Sequence, residues 1–326
     1  MIYAYFWSHM KPINEFYSIL NQPFKAVITC HQKPDGDAMG SVLGLYHFLK
    51  QLGHDVRVVS PTNWANFLDW MPGTDTVIDF EKERSFASAL INQADYLFCL
   101  DFNILHRTKH LESVAVQSKC QKILIDHHQE PDIQSFEYGI SDVKKSSTCE
   151  MIYDFIIESG YADCINLDIA TCLYTGVMTD TGSFRFPSTT ASVHKMVGHL
   201  KDLGLQHGPI HEQIYDQSSE NRLQFMGNVF LNRMEVFLDK KTALMTIPAS
   251  DIRQFNIKTG DTEGLVNYLL SIKGIKLAAI VIDREEERKW SFRSKGSFDV
   301  NIFARNYFEG GGHQNAAGGR SSKSLI

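Results

Sequence analysis

The 326-residue sequence has no C-x-x-C pair among its six cysteines, no apolar run long enough to span a membrane, and no excess of basic charge. Each absence narrows the field. Without paired cysteines a cysteine-built zinc site is disfavoured, and Cys30 and Cys99, sitting in apolar runs, read as reduced, buried thiols of a cytoplasmic protein. The start, Met1 to Met10, lacks the basic residues of a signal peptide, and its apolar run is too short to span. Met10 can serve as an alternative start, and the first ten residues are expected to carry no fold information. A net charge of −6 argues against a grip on long duplex nucleic acid, which needs many phosphate contacts. It leaves room for a small pocket that holds a few phosphates. There is no internal repeat and no low-complexity tract. What remains is ordinary globular composition, 43% hydrophobic and 21% charged, at a length that suits two domains.

The pattern along the chain is that of a parallel α/β fold. Ala26-Val27-Ile28-Thr29 reads as a buried strand and runs into a Pro34/Gly36 loop carrying His31, Asp35 and Asp37. Leu43, Leu45, Phe48, Leu49 and Leu52 then recur at helical spacing, and Val56 to Val59 is the next strand. Tyr96 to Leu100 is a strand ending in Asp101, followed by Asn103 and Arg107; Lys122 to Ile125 is another, ending in Asp126-His127-His128. Ser146-Ser147-Thr148 caps a helix, and a second helix, opening near Asp168, leads into Asp180 and a loop with Phe184 and Phe186. The two phenylalanines suit core packing better than base stacking.

The strand pattern disappears from about Leu205 to Val229. Beyond it, strands at Met234–Leu238, Ala243–Ile247, Ile275–Ile282 and Lys289–Arg293, with helices near Thr262–Leu270 and Val300–Tyr307, predict a smaller α/β domain. The expected organisation is residues 1–205, a helical linker 206–229, and residues 230–326, with the active site in the cleft between the domains. The second domain carries Arg293-Ser294 at a strand end and a glycine-rich turn, Gly310-Gly311-Gly312-His313-Gln314-Asn315-Ala316-Ala317-Gly318-Gly319. Glycines allow close backbone approach to an anion, and a guanidinium can hold a phosphate by two hydrogen bonds.

Taken singly, these residues have ordinary readings. Asp37 would be a helix cap, with Asp35, Asp101 and Asp180 turn or cap residues and Arg293 half of a surface ion pair. Taken together, Asp35, Asp37, Asp101 and Asp180 with His31, His127 and His128 end strands or loops where an open α/β sheet binds its ligand. Four clustered carboxylates repel unless cations lie among them, and two divalent ions balance four carboxylates. An oxygen-rich set with imidazole and no thiolate favours Mn2+, with Mg2+ or Co2+ next. Two such ions about 3.5–4 Å apart suit in-line displacement at phosphorus.

These stretches resemble, in order, the four motifs of the DHH phosphoesterase family. The Arg293-Ser294 and Gly-Gly-Gly-His stretches resemble its DHH-associated C-terminal domain, and the match spans about Ala26 to Gly319. The resemblance implies that His31, Asp35 and Asp101 hold one metal. It implies that Asp37, Asp101, His127 and Asp180 hold a second, with Asp101 bridging. His128 would contact the scissile phosphate or assist the leaving oxygen, and Asp126 would orient the histidine pair. Arg293, Ser294, Gly311, Gly312 and His313 would hold the substrate's far phosphate. The nearest members point to hydrolysis of very short oligoribonucleotides to nucleoside 5′-monophosphates, and of 3′-phosphoadenosine 5′-phosphate. The alternatives are a cyclic-dinucleotide phosphodiesterase, an exopolyphosphatase or pyrophosphatase, and a non-catalytic nucleotide-binding protein. Expected partners are a short oligoribonucleotide or small nucleotide, with no membrane and no long duplex; a homodimer is compatible with the sequence. The family pattern continues with a helix after the Gly-Gly-His stretch, whereas this sequence ends at Ile326.

Overall fold

The computed structural model describes residues 10–284 and 287–322. Met1 to His9, Glu285, Glu286 and Lys323 to Ile326 lie outside the described residues, and the expectations about the two ends fall there. Two compact units divide the chain, Met1–Asp216 and Gln217–Ile326. No helix among the described residues is long and apolar enough to cross a membrane.

Among the described residues the first unit is built on seven strands: β1 (Lys11–Pro12), β2 (Lys25–Thr29), β3 (Asp55–Ser60), β4 (Ile78–Asp79), β5 (Tyr96–Leu100), β6 (Gln121–Asp126) and β7 (Tyr138–Ser141). All neighbours pair in parallel, in the order β1-β7-β6-β5-β2-β3-β4. Its helices are α1 (Gly36–Gln51), α2 (Arg84–Gln93), α3 (Glu112–Gln117), α4 (Thr148–Glu158), α5 (Leu167–Asp180), α6 (Ala191–Asp202) and α7 (His207–Tyr215). Both faces of the sheet are covered, so its strands are apolar without a break. Along β5, Phe98 and Leu100 enter one core with α1, α4 and α5, while Leu97 and Cys99 enter a second with α2 and α3. The short strands β1 and β4, and β7 with its Gly139, were not legible in the sequence. Two residues are too few to establish an alternation, and β7, Tyr138-Gly139-Ile140-Ser141, is four residues interrupted by a glycine.

The chain leaves β2 through α1 toward β3, then returns to the other side of β2 to lay down β5. The strand order therefore reverses between β2 and β5. At such a switch point the loops leaving adjacent strands diverge and open a crevice at the carboxyl ends.

Helix packing tightens this end of the sheet. Gly36, Gly40 and Gly44 recur every four residues on α1 and face α5. A Cβ at Gly36 would come within 2.4 Å of Thr179 Oγ1, and at Gly40 within 2.5 Å of the Cys172 carbonyl. The glycines thus let α1 approach α5 closely, which draws the start of α1 toward Asp180 at the end of α5.

The second unit has helices α8 (Glu220–Asn232), α9 (Ala249–Gln254), α10 (Leu265–Ser271) and α11 (Val300–Tyr307). Among the described residues its strands are β8 (Met234–Phe237), β9 (Thr242–Ile247), β10 (Leu277–Asp283), β11 (Arg288–Ser294), β12 (Gly311–His313) and β13 (Ala316–Ser321). Their order is β12-β13-β11-β10-β9-β8, parallel only between β9 and β10. Within the segment 206–229, Ile210 of α7 joins the core of the first unit, and Phe225 and Val229 of α8 join that of the second. The second half of the glycine-rich stretch runs into strand β13.

Candidate metal centre

Five elements of the first unit deliver the candidate ligands to one place. Asp35 is the N-cap of α1: its Oδ1 accepts from the amides of Asp37 and Ala38, each at 3.1 Å. The cap is therefore Asp35, and Asp37, read alone as the cap, sits inside the first turn. His31 follows β2, and its Nε2 lies 3.9 Å from Asp35 Oδ1 and 3.4 Å from Asp101 Oδ2. Asp101 ends β5 in the left-handed region, φ 63°, while its amide still bonds the Ile125 carbonyl. That backbone is uncommon for a residue with a side chain, though Asp tolerates it better than most, and such strain concentrates at functional sites.

His127 stands at the middle of the cluster. Its Nδ1 hydrogen-bonds the Lys145 carbonyl at 3.3 Å. This commits the proton to Nδ1 and turns Nε2 toward three carboxylates: Asp101 at 3.4 Å, Asp37 at 3.6 Å and Asp180 at 3.6 Å. Asp126, read as the group that orients both histidines, is engaged with one. Its two oxygens bond the Nδ1 (2.8 Å) and the amide (3.1 Å) of His128, while His127 is oriented by a carbonyl from another loop. Asn103 holds the next turn by donating to the carbonyls of Gln129 and Glu130.

Sequence reasoning missed how much the start of α4 contributes. Ser147 caps that helix, as expected, by accepting from the Glu150 amide. The next two amides turn to Asp37 instead: Thr148 N to Oδ2 at 2.7 Å and Cys149 N to Oδ1 at 2.9 Å. Thr148 Oγ1 also donates to Asp101 Oδ1 at 3.0 Å. A helix N-terminus is a natural seat for a carboxylate. The Ser-Ser-Thr cap was visible in the sequence, but its partner lies over a hundred residues away.

The electrostatics fit a cation. Burial, with Asp101 and Asp180 nearby, pushes the Asp37 carboxyl well above the usual range. Burial would raise Asp101 as well, but hydrogen bonds with His127 and His31 outweigh it and hold Asp101 well below. Burial works against protonated His127, yet the bond to Asp101 and the charge of Asp180 raise it well above the usual imidazole range. His128 moves the other way, lowered by burial and by Arg107. Asp126, wholly buried, is pushed up to about 6 by that burial against the opposing pull of His127.

His31, Asp35 and Asp101 can each offer a ligand atom within 4.8 Å of the others, and so can Asp37, Asp101 and His127. The two groups share Asp101, and Asp180 adjoins the second through His127. Hard carboxylate oxygens with a few imidazole nitrogens suit a divalent cation of the Mn2+ or Mg2+ kind.

The sequence-predicted residues of the second unit lie on β11 and β12, the two strands that flank β13. His313 of β12 pairs with Ala316 of β13, which pairs with Arg293 of β11. Paired residues share a face, so Arg293 and His313 flank a small alanine on one side of the sheet. Gly311, Gly318 and Ser291 form a second row of small residues on that side. Ser294, one residue beyond Arg293, falls on the opposite face. Its hydroxyl donates to the Phe298 carbonyl and accepts from Asn315 Nδ2. Gly312 has φ 154°, and a Cβ there would lie 2.5 Å from the Ala316 carbonyl, so the glycine is required by the hairpin itself. Phe184, half-buried, packs against the first unit's core beside Tyr174.

Comparison with known proteins agrees with this geometry. The family model "DHH family, N-terminal domain" matches residues 25–177, and the DHHA1 domain model matches residues 240–325. The chain is 27% identical over 290 residues to the bifunctional oligoribonuclease and PAP phosphatase NrnA of Bacillus subtilis, covering 88% of this chain and 86% of that protein. It is 28% identical to the Thermus thermophilus protein of the same name, covering 96% and 88%. It is 38% identical to an exopolyphosphatase-related protein of known crystal structure from Bacteroides fragilis, with TM-score 0.90 over 96% of this chain and 92% of that one. The two matched domains in order, the whole-length likeness and the buried Asp-His cluster together establish that this chain belongs to the DHH family.

Proposed function

We propose that this protein is a metal-dependent phosphoesterase that hydrolyses very short oligoribonucleotides, such as pApA, to nucleoside 5′-monophosphates, and that it also dephosphorylates 3′-phosphoadenosine 5′-phosphate. The observation that carries the reading is the pair of ligand groups sharing Asp101. The names of the Bacillus and Thermus relatives support the substrate class. Cytoplasmic nucleotides are the natural pool for such an enzyme, in keeping with its free cysteines.

His31, Asp35 and Asp101 would hold one divalent cation, and Asp37, Asp101, His127 and Asp180 a second, with Mn2+ ahead of Mg2+ or Co2+. Such ions, when bound, supply Lewis-acid stabilisation of phosphate charge. The chain's own groups do the positioning. The Lys145 carbonyl and the α4 amides fix His127 and Asp37 before any substrate arrives. His128, with Nδ1 held by Asp126, would direct Nε2 to the scissile phosphate or the leaving oxygen. Arg293 and His313 would receive the far phosphate over the floor of small residues, with Gly311 and Gly312 allowing close approach. Ser294 would act from within the turn, by holding Asn315.

The test is product formation with Mn2+ from pApA, a five-nucleotide RNA, 3′-phosphoadenosine 5′-phosphate, cyclic di-AMP, pyrophosphate and polyphosphate. Preference for pApA and 3′-phosphoadenosine 5′-phosphate is expected. Preference for polyphosphate, the second reading suggested by the name of the Bacteroides relative, would retain the metal centre and overturn the role given to Arg293 and His313.

A further inference from the structure

One buried carboxylate outside the ligand set is tied to the short segment on which three candidate ligands depend. Residues 145–149 touch His127 through the Lys145 carbonyl, Asp101 through Thr148 Oγ1, and Asp37 through the amides of Thr148 and Cys149. Glu150, 2% exposed, anchors this segment. Its Oε2 accepts from both the amide and the hydroxyl of Ser146, each at 2.8 Å. Its Oε1 accepts from Ser192 Oγ at 2.5 Å and lies 3.5 Å from Lys145 Nζ. The Lys145 ammonium is held in turn by Asp154 at 2.5 Å.

The connection through Ser192 matters because Ser192 opens α6, the element that follows the loop leaving Asp180. Glu150 therefore links the chain downstream of Asp180 to the loop that orients His127. A helix cap needs far less. A capping-box glutamate reaches back to the amide of its own cap residue. Here the carboxylate reaches past the cap, Ser147, to Ser146 and across to another helix.

From this we infer that Glu150 is a positioning residue for the metal centre: by holding Ser146, Lys145 and Ser192 together it sets the Lys145 carbonyl against His127 and the α4 amides against Asp37, and so sets cation affinity. The inference rests on the metal reading above but not on the identity of the substrate. Groups that hold metal ligands in place characteristically change metal affinity when removed.

The experiment is Mn2+ titration of the full chain, without substrate, by calorimetry, with thermal unfolding of the metal-free protein alongside. Glu150→Gln should weaken Mn2+ binding roughly 10-fold, the lower end of what loss of such a supporting group costs. Its metal-free unfolding temperature should stay close to that of the wild type, and turnover should recover as Mn2+ is raised. Ser192→Ala, which removes one hydroxyl at the start of α6, should shift the affinity in the same direction by less. It serves as the test if Glu150→Gln does not fold. Folded variants with wild-type Mn2+ affinity would overturn the inference alone. A wild-type chain that bound neither Mn2+ nor Mg2+ would overturn the metal reading and the inference with it.

Discussion

The two sheets deliver functional side chains by different means. In the first unit the candidate ligands come from His31 to Asp180 and meet only because β2 and β5 flank a switch in strand order and α1 packs tightly on α5. His31, Asp37, Asp101, His127 and His128 are buried, with Asp35 and Asp180 at the partly open edge, and the buried ones are over-determined by hydrogen bonds from remote segments. In the second unit Arg293 and His313 are twenty residues apart in sequence, on strands either side of β13, and are aligned by strand register alone. They are half-buried. The first arrangement suits charge that must be concentrated and shielded from water; the second suits recognition of a substrate group that arrives and leaves. Damage to the first should remove turnover, and damage to the second should change which substrates are held.

The largest expected effect follows from the shared ligand. Asp101→Asn should lower turnover by at least ~10^3-fold, about 4 kcal/mol of transition-state stabilisation, since one substitution disturbs both ligand groups. Steady-state kinetics over a range of Mn2+ would check this, and activity surviving within tenfold would contradict the two-group reading. Arg293→Ala should instead raise KM for pApA roughly 10- to 100-fold, the loss of a charge-assisted phosphate contact, with kcat less affected. An equal fall in kcat would erase the distinction drawn between the two regions.

A glycine pair sharpens the contrast further. Gly40→Ala places a Cβ 2.5 Å from the Cys172 carbonyl and should cost about 1–3 kcal/mol of stability as α1 is forced from α5. Urea denaturation should reveal that loss, and Mn2+ affinity should fall with it. Gly312→Ala meets the Ala316 carbonyl at the same distance but should leave Mn2+ affinity unchanged while weakening substrate binding. The smallest effect concerns His54, buried and stacked on Phe24 with ring centroids 3.7 Å apart. Burial holds this imidazole below its usual value, so the folded chain resists a proton that the unfolded chain accepts. Its contribution to stability is complete above the unfolded imidazole value of about 6.5 and declines as pH falls below it. His54→Phe should flatten that acid limb in denaturation curves taken between pH 7 and 5.

Much of the first unit was legible because its strands are continuous apolar runs that stop at chemically distinctive residues. Asp101 follows Leu100, and Asp126-His127-His128 follows Ile125, so strand and candidate ligand were read from one stretch. Three things were not legible. The cap of α1 fell to Asp35 rather than Asp37, because Asp37 is claimed by the amides of α4. Asp126 hydrogen-bonds His128, while a carbonyl from the 142–147 loop holds Nδ1 of His127. Ser294, adjacent to Arg293, lies on the other side of its strand, since neighbouring residues in a strand face opposite ways.

The sequence by itself determined the inventory: four aspartates and three histidines at strand ends and loops, a glycine-rich hairpin after Arg293, and the apolar runs that make the sheets. Local chemistry suffices for that, because strand and helix periodicity and turn residues act over a few positions. Only the tertiary structure decided which carboxylate meets which amide, which histidine nitrogen is left for a cation, and that Glu150 underpins the arrangement. Those choices depend on which distant segments are brought within hydrogen-bonding distance, and that is set by strand order and by how closely α1 and α5 can pack.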